Sequence, residues 1–60
     1  MAWRVIGRRN DGTANEWIFD NESDAREFFN TVCYHDMVRV WLCERTAHAW
    51  HNIAHWITQL

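Results

Sequence analysis

The residues of this chain that are able to do chemistry are few: four histidines, two cysteines and eight carboxylates set against six arginines. His48, His51 and His55 recur at i, i+3 and i+7, within one sector if the segment is helical. The His51–His55 spacing lets two imidazoles share a metal ion. Cys33, His35 and Cys43 are the residues that would complete a four-ligand site. Yet the spacing fits no zinc-finger pattern, and no glutamate follows His51 as the zincin helix requires. The expectation is a solvated histidine face opposite Trp50 and Ile57, without metal or cofactor.

Nucleophilic chemistry is equally poorly supported. Cys33 and His35 are close in sequence, and Cys43 lies near Thr46, but no third group orients either pair. Gly7 and Gly12 are the only glycines, too few for an oxyanion loop or a phosphate cradle. A chain of 60 residues also leaves little room for a ligand pocket, which usually needs ~300 Å³ or more. The reading is a non-enzyme with inert, buried, reduced cysteines. The start, Met1-Ala2-Trp3-Arg4, has no apolar export core behind it and no run approaches a membrane span, so a cytoplasmic protein is expected.

Every basic residue is an arginine: Arg4, Arg8, Arg9, Arg26, Arg39 and Arg45. Arg4, Arg8, Arg9 and Arg39 are candidates for phosphate contact at one end of a sheet, with Trp41 available for base stacking. The formal charge of −2 and the absence of lysine make nucleic acid the less favoured partner.

The elements that must position these groups follow from patterning. Five Trp, three Phe and one Tyr give a small core its bulk, and the 48% hydrophobic content excludes a disordered chain. Trp3-Arg4-Val5-Ile6 and Glu16-Trp17-Ile18-Phe19-Asp20 alternate as strands around an Asn10-Asp11-Gly12 turn, which predicts a hairpin. Asn21 or Ser23 caps a helix whose apolar stripe is Ala25, Phe28, Phe29 and Val32. The acids beside the cap suit the helix dipole rather than catalysis. Met37–Cys43 alternates as a third strand, with Val38, Val40 and Leu42 facing inward. From Ala47 to about Gln59, the residues Ala47, Trp50, Ile53, Ala54, Ile57 and Leu60 share one face at helical spacing. Thr46 would cap that last helix. The expectation for residues 1–60 is a single α+β domain, ββαβα, with a three-stranded antiparallel sheet in the order 3-1-2 and two helices.

Such a sheet has two faces. One carries Trp3, Val5, Trp17, Phe19, Val38, Val40 and Leu42 and suits a helix. The other carries Arg4, Ile6, Ile18, Arg39 and Trp41, with Glu16 and Asp20 nearby. A short connection allows the last helix either to cover this second face or to leave it open. If open, its composition is that of an interface, since Trp and Arg are enriched among binding hot spots. The occupant would be a different protein or a second copy, and the sequence does not choose between monomer and homodimer.

The hairpin Trp3–Asp20, the run Phe19-Asp20-Asn21-Glu22-Ser23-Asp24-Ala25-Arg26-Glu27-Phe28-Phe29 and the strand Met37–Cys43 resemble small bacteriophage accessory proteins, including anti-CRISPR and other host-directed inhibitors. The likeness is one of architecture over residues 3 to 43 and includes no site motif. It implies a protein that acts by occupying a surface of a bacterial host or competitor macromolecule, such as a defence or transcription component.

Overall fold

The computed structural model describes residues 2–32 and 37–58. Its elements are β1 (Trp3–Arg9), β2 (Ala14–Phe19), α1 (Glu22–Val32), β3 (Met37–Arg45) and β4 (Trp50–Ile57). The strands form one antiparallel sheet in the order β2-β1-β3-β4, and α1 packs against β1, β2 and β3.

The β1–β2 turn is fixed by local chemistry. Gly12 sits at φ +92°, a conformation that costs other residues energy, and its N–H donates to Arg9 O at 3.0 Å. The Asp11 carboxylate accepts from the Thr13 N–H at 2.9 Å and the Thr13 hydroxyl at 2.7 Å. These two bonds hold that carboxyl below the usual aspartate range. The turn sets the register that puts Val5 opposite Trp17 and Trp3 opposite Phe19.

Helix α1 begins at Asn21, whose side-chain oxygen accepts from the Asp24 N–H at 2.8 Å. The Asn21 amide donates back to the Asp24 carboxylate at 2.9 Å, and Glu22 pairs with Arg26 one turn on at 2.6 Å. Its apolar stripe then faces the sheet. Ala25 and Val32 are buried, and Phe28 lies 4.8 Å from the Trp17 ring and 5.2 Å from the Phe19 ring between centroids. With Val5, Met37, Val40 and Leu42 they form the core, flanked by half-buried Trp3, Phe29, Ala54 and Trp56. Gly7 is buried beneath it. A Cβ there would lie 2.9 Å from Met37 Sδ and 3.4 Å from Trp17 Cζ3, so the missing side chain is what lets those two close over β1.

The architecture corrects the expected ββαβα fold with three strands and two helices: there are four strands and one described helix, in the order ββαββ. The segment read as a second helix is β4. Thr46 does not cap a helix but closes the β3–β4 turn, its N–H donating to Ala49 O at 2.9 Å. The helical spacing was produced by a slip in a two-residue alternation. The register shifts between Leu42 and Cys43, so Ala54 and Trp56 face α1 while Asn52 and Trp50 face the opposite side. Pairing also satisfies the backbone of β3, whose long apolar edge would otherwise be open, and Ala54 and Trp56 widen the core. A second shift between Arg8 and Arg9 takes Val38 out of the inward row, and Met37 fills that place, 6% exposed. Among the described residues, no helix is long and apolar enough to cross a membrane.

Candidate functional site

The described histidine and cysteine candidates, His48, His51, His55 and Cys43, are not brought together. Without a second helix, His48 falls in the β3–β4 turn, while His51 and His55 point to opposite sides of β4 because of the bulge. His51 Nε2 lies 3.1 Å from the Thr46 hydroxyl. Cys43 is 1% exposed, and its thiol donates to Asn52 Oδ1 at 3.0 Å. Cys33 and His35 lie outside the described residues. Among the described residues, no group of three His, Cys, Asp or Glu side chains is placed to hold a metal ion.

The sheet face away from α1 is covered by no described element. In antiparallel pairing, residues directly opposite share a side, so this face is built from Arg4, Ile6 and Arg8 of β1 with Glu16 and Ile18 of β2. Arg39, Trp41, Cys43 and Arg45 of β3 and Trp50, Asn52, His55 and Ile57 of β4 complete it. Ile6, Ile18, Arg4, Arg39 and Trp41, singled out from the alternation of three strands, therefore do share one surface. Arg9 does not join them. It lies on the α1 side, where its guanidinium donates to Asn15 Oδ1.

The face has two ends of different character. At one end Arg4 is held by two contacts, to Glu16 and Trp50. Its Nη1 is 3.1 Å from Glu16 Oε2, its Cζ stands 4.4 Å from the centre of the Trp50 ring, and its Nε is buried without a hydrogen-bond partner. Arg45 approaches the same Trp50 ring at 5.6 Å. That stacking spreads two cations over one indole and fixes them in place.

At the other end Arg8 and Arg39 are directly opposite each other across β1 and β3. Both are exposed, and neither joins an ion pair among the described residues. Like charges directly opposite in a sheet are unfavourable, so this pair is tolerated rather than selected for the stability of the free chain. Their guanidiniums are free to take a bidentate anion such as a carboxylate or phosphate.

Between the ends lies an apolar middle. Trp41 sits between Ile6 and His55 in the register, and its ring is stacked on the His55 imidazole at 5.2 Å and 10°. Ile18 and Ile57 are 55% and 49% exposed. Within the strands of this face, Glu16 is the one carboxylate against Arg4, Arg8, Arg39 and Arg45. The acids Glu22, Asp24 and Glu27 lie instead on α1, so the charge of a slightly acidic chain is segregated.

Trp50, Arg45, His55 and Ile57 belong to this site and were missed because they enter it through β4 and Arg45 beside it. The run Trp50-x-Asn52 followed by Ala54-x-Trp56, alternation either side of one slip, was the signal that could have found them. An open hollow of about 280 Å³ beside α1 is lined by Phe19, Asp24, Glu27, Phe28 and Thr31, with no nucleophile and base in contact. No protein family, curated protein or solved structure matches this chain.

Proposed function

We propose that the chain is a non-enzymatic binding module whose open sheet face occupies a protein surface that presents carboxylates beside an apolar patch. The observation that carries this reading is the opposed Arg8 and Arg39, without an ion-pair partner among the described residues, at the rim of a Trp41, Ile6, Ile18 and Ile57 patch. Exposed guanidiniums pair with carboxylates on contact, and the isoleucines and Trp41 exclude water around them. Arg4, already fixed by Trp50 and Glu16, loses little side-chain freedom on binding. In keeping with the likeness to phage host-directed inhibitors, the partner is a bacterial defence or transcription component met in the host cytoplasm, and occupying its surface is the whole of the activity.

A second reading, a nucleic-acid-binding regulator, draws on the same Arg8–Arg39 pair, with phosphate in place of carboxylate. The exposed isoleucines weigh against it, since they offer a phosphate backbone nothing.

Recovery from bacterial lysate by the wild type, Trp41→Ala and Arg39→Glu separates these readings. The protein reading expects defined partners lost with both variants, and equal recovery by all forms removes the face from consideration. A shift of single- or double-stranded nucleic acid at low salt that Arg39→Glu abolishes would replace the first reading with the second.

A further inference from the structure

We propose that the outer edge of β4 pairs with β4 of a second copy of this chain, antiparallel about a two-fold axis perpendicular to the sheet. Two sheets then join into one. Strands β2 and β4 are the edges, and each presents a row of backbone donors and acceptors that no described element covers. On β4 the row can be assigned. The Thr58 N–H donates to Val38 O at 2.9 Å, so by alternation Trp56 and Ala54 turn their backbone groups to β3 while Ile57 and His55 turn theirs outward.

The two edges differ in how they are guarded. Soluble sheets blunt their edges with charge, proline or shortness. Strand β2 has 6 residues, includes Glu16 and runs into Asp20. Strand β4 has 8 residues, Trp50–Ile57, with no Lys, Arg, Asp, Glu or Pro among them. It also exposes Ile53 and Ile57, at 36% and 49%. An unguarded apolar edge is a pairing edge.

Charge selects the edge over the face. A face-to-face dimer would press Arg4, Arg8, Arg39 and Arg45 against their own copies, with Glu16 as the one strand carboxylate to offset them. Edge pairing avoids this contact. The bulge at Ile53 turns the first half of β4 out of line, so the second half is the part that pairs. An open hollow of about 580 Å³, lined by His55, Trp56, Ile57 and Thr58, runs along that half. Pairing centred on Trp56 sets His55 opposite the second copy's Ile57 on the same face. The axis keeps both arginine faces on one side and both helices on the other, so the dimer presents the binding face twice.

Sedimentation across a concentration series tests this with the wild type, Ile57→Lys on β4 and Ile18→Lys on β2. Both substituted side chains are exposed in the single chain. The mass of the wild type and of Ile18→Lys is expected to rise from one chain toward two, with Ile57→Lys remaining at one. A wild type that stays single at its solubility limit overturns the proposal, as does an Ile57→Lys variant that pairs like the wild type, or pairing lost only with Ile18→Lys. Should Ile57→Lys fail to fold, amide exchange of the wild type decides. Slower exchange of the His55 and Ile57 N–H groups with rising concentration supports the pairing, and exchange independent of concentration overturns it.

Discussion

Arg8 and Arg39 face each other across the β1–β3 ladder, and among the described residues no carboxylate pairs with either. This arrangement sets stability against binding. Arg39→Glu converts a like-charge pair into a cross-strand ion pair and should raise the stability of the free chain by about 0.5 kcal/mol at low salt. The same change should abolish capture of an acidic partner. Urea denaturation and partner recovery measured on one sample check both halves, and a destabilised Arg39→Glu protein would mean that the two guanidiniums are not in each other's field.

Trp50 anchors the opposite end of the face. Removing its ring by Trp50→Ala takes the stacking surface from Arg4 and Arg45 and should cost about 1–2 kcal/mol. The denaturation midpoint reports it. An unchanged midpoint would show that the two cations do not depend on the indole.

Gly7→Ala should destabilise by about 1 kcal/mol, because the new methyl meets Met37 Sδ. The effect should shrink when the same change is made in a Met37→Ala background, since the clash is with that side chain. Equal costs in both backgrounds would place the strain in the β1 backbone instead.

Asp11 gives the β1–β2 turn a pH dependence. Its folded pKa lies below the unfolded value of about 3.9, through its bonds from Thr13. The stabilisation is therefore present above the unfolded pKa and is lost as the pH falls through the folded one. The Tm difference between wild type and Asp11→Ala should be full at neutral pH and close progressively in acid. A gap that stays constant into strong acid would mean that the ionised carboxylate contributes nothing.

What was legible in the sequence was local. Asp11-Gly12 specified its turn, Asn21 or Ser23 was the cap and Asn21 fills it, and Ala25, Phe28, Phe29 and Val32 marked the stripe that packs on the sheet, because each depends on neighbours within a few positions. Arg4, Ile6, Ile18, Arg39 and Trp41 could be assigned to one face because strand parity alone fixes it. Strand β4 was hidden. One extra residue near Ile53 breaks its alternation, and the remaining apolar positions then fall at helical intervals. The choice between helix and strand was made by distant groups, the open edge of β3 and the space beside the core that Trp56 fills. Val38 left the core because the register shift beyond Arg8 reverses parity on β3, whereas Arg9 falls on the α1 side by plain alternation from Val5 and Gly7.

The Cys43 thiol, held to Asn52 across the β3–β4 pair and 1% exposed, has a practical consequence. With Cys33 replaced by serine, a thiol-specific alkylating reagent can reach it only when the sheet opens locally around it. The rate of labelling is then an intrinsic clock for local opening at the centre of the sheet, read without attaching any probe to the folded protein.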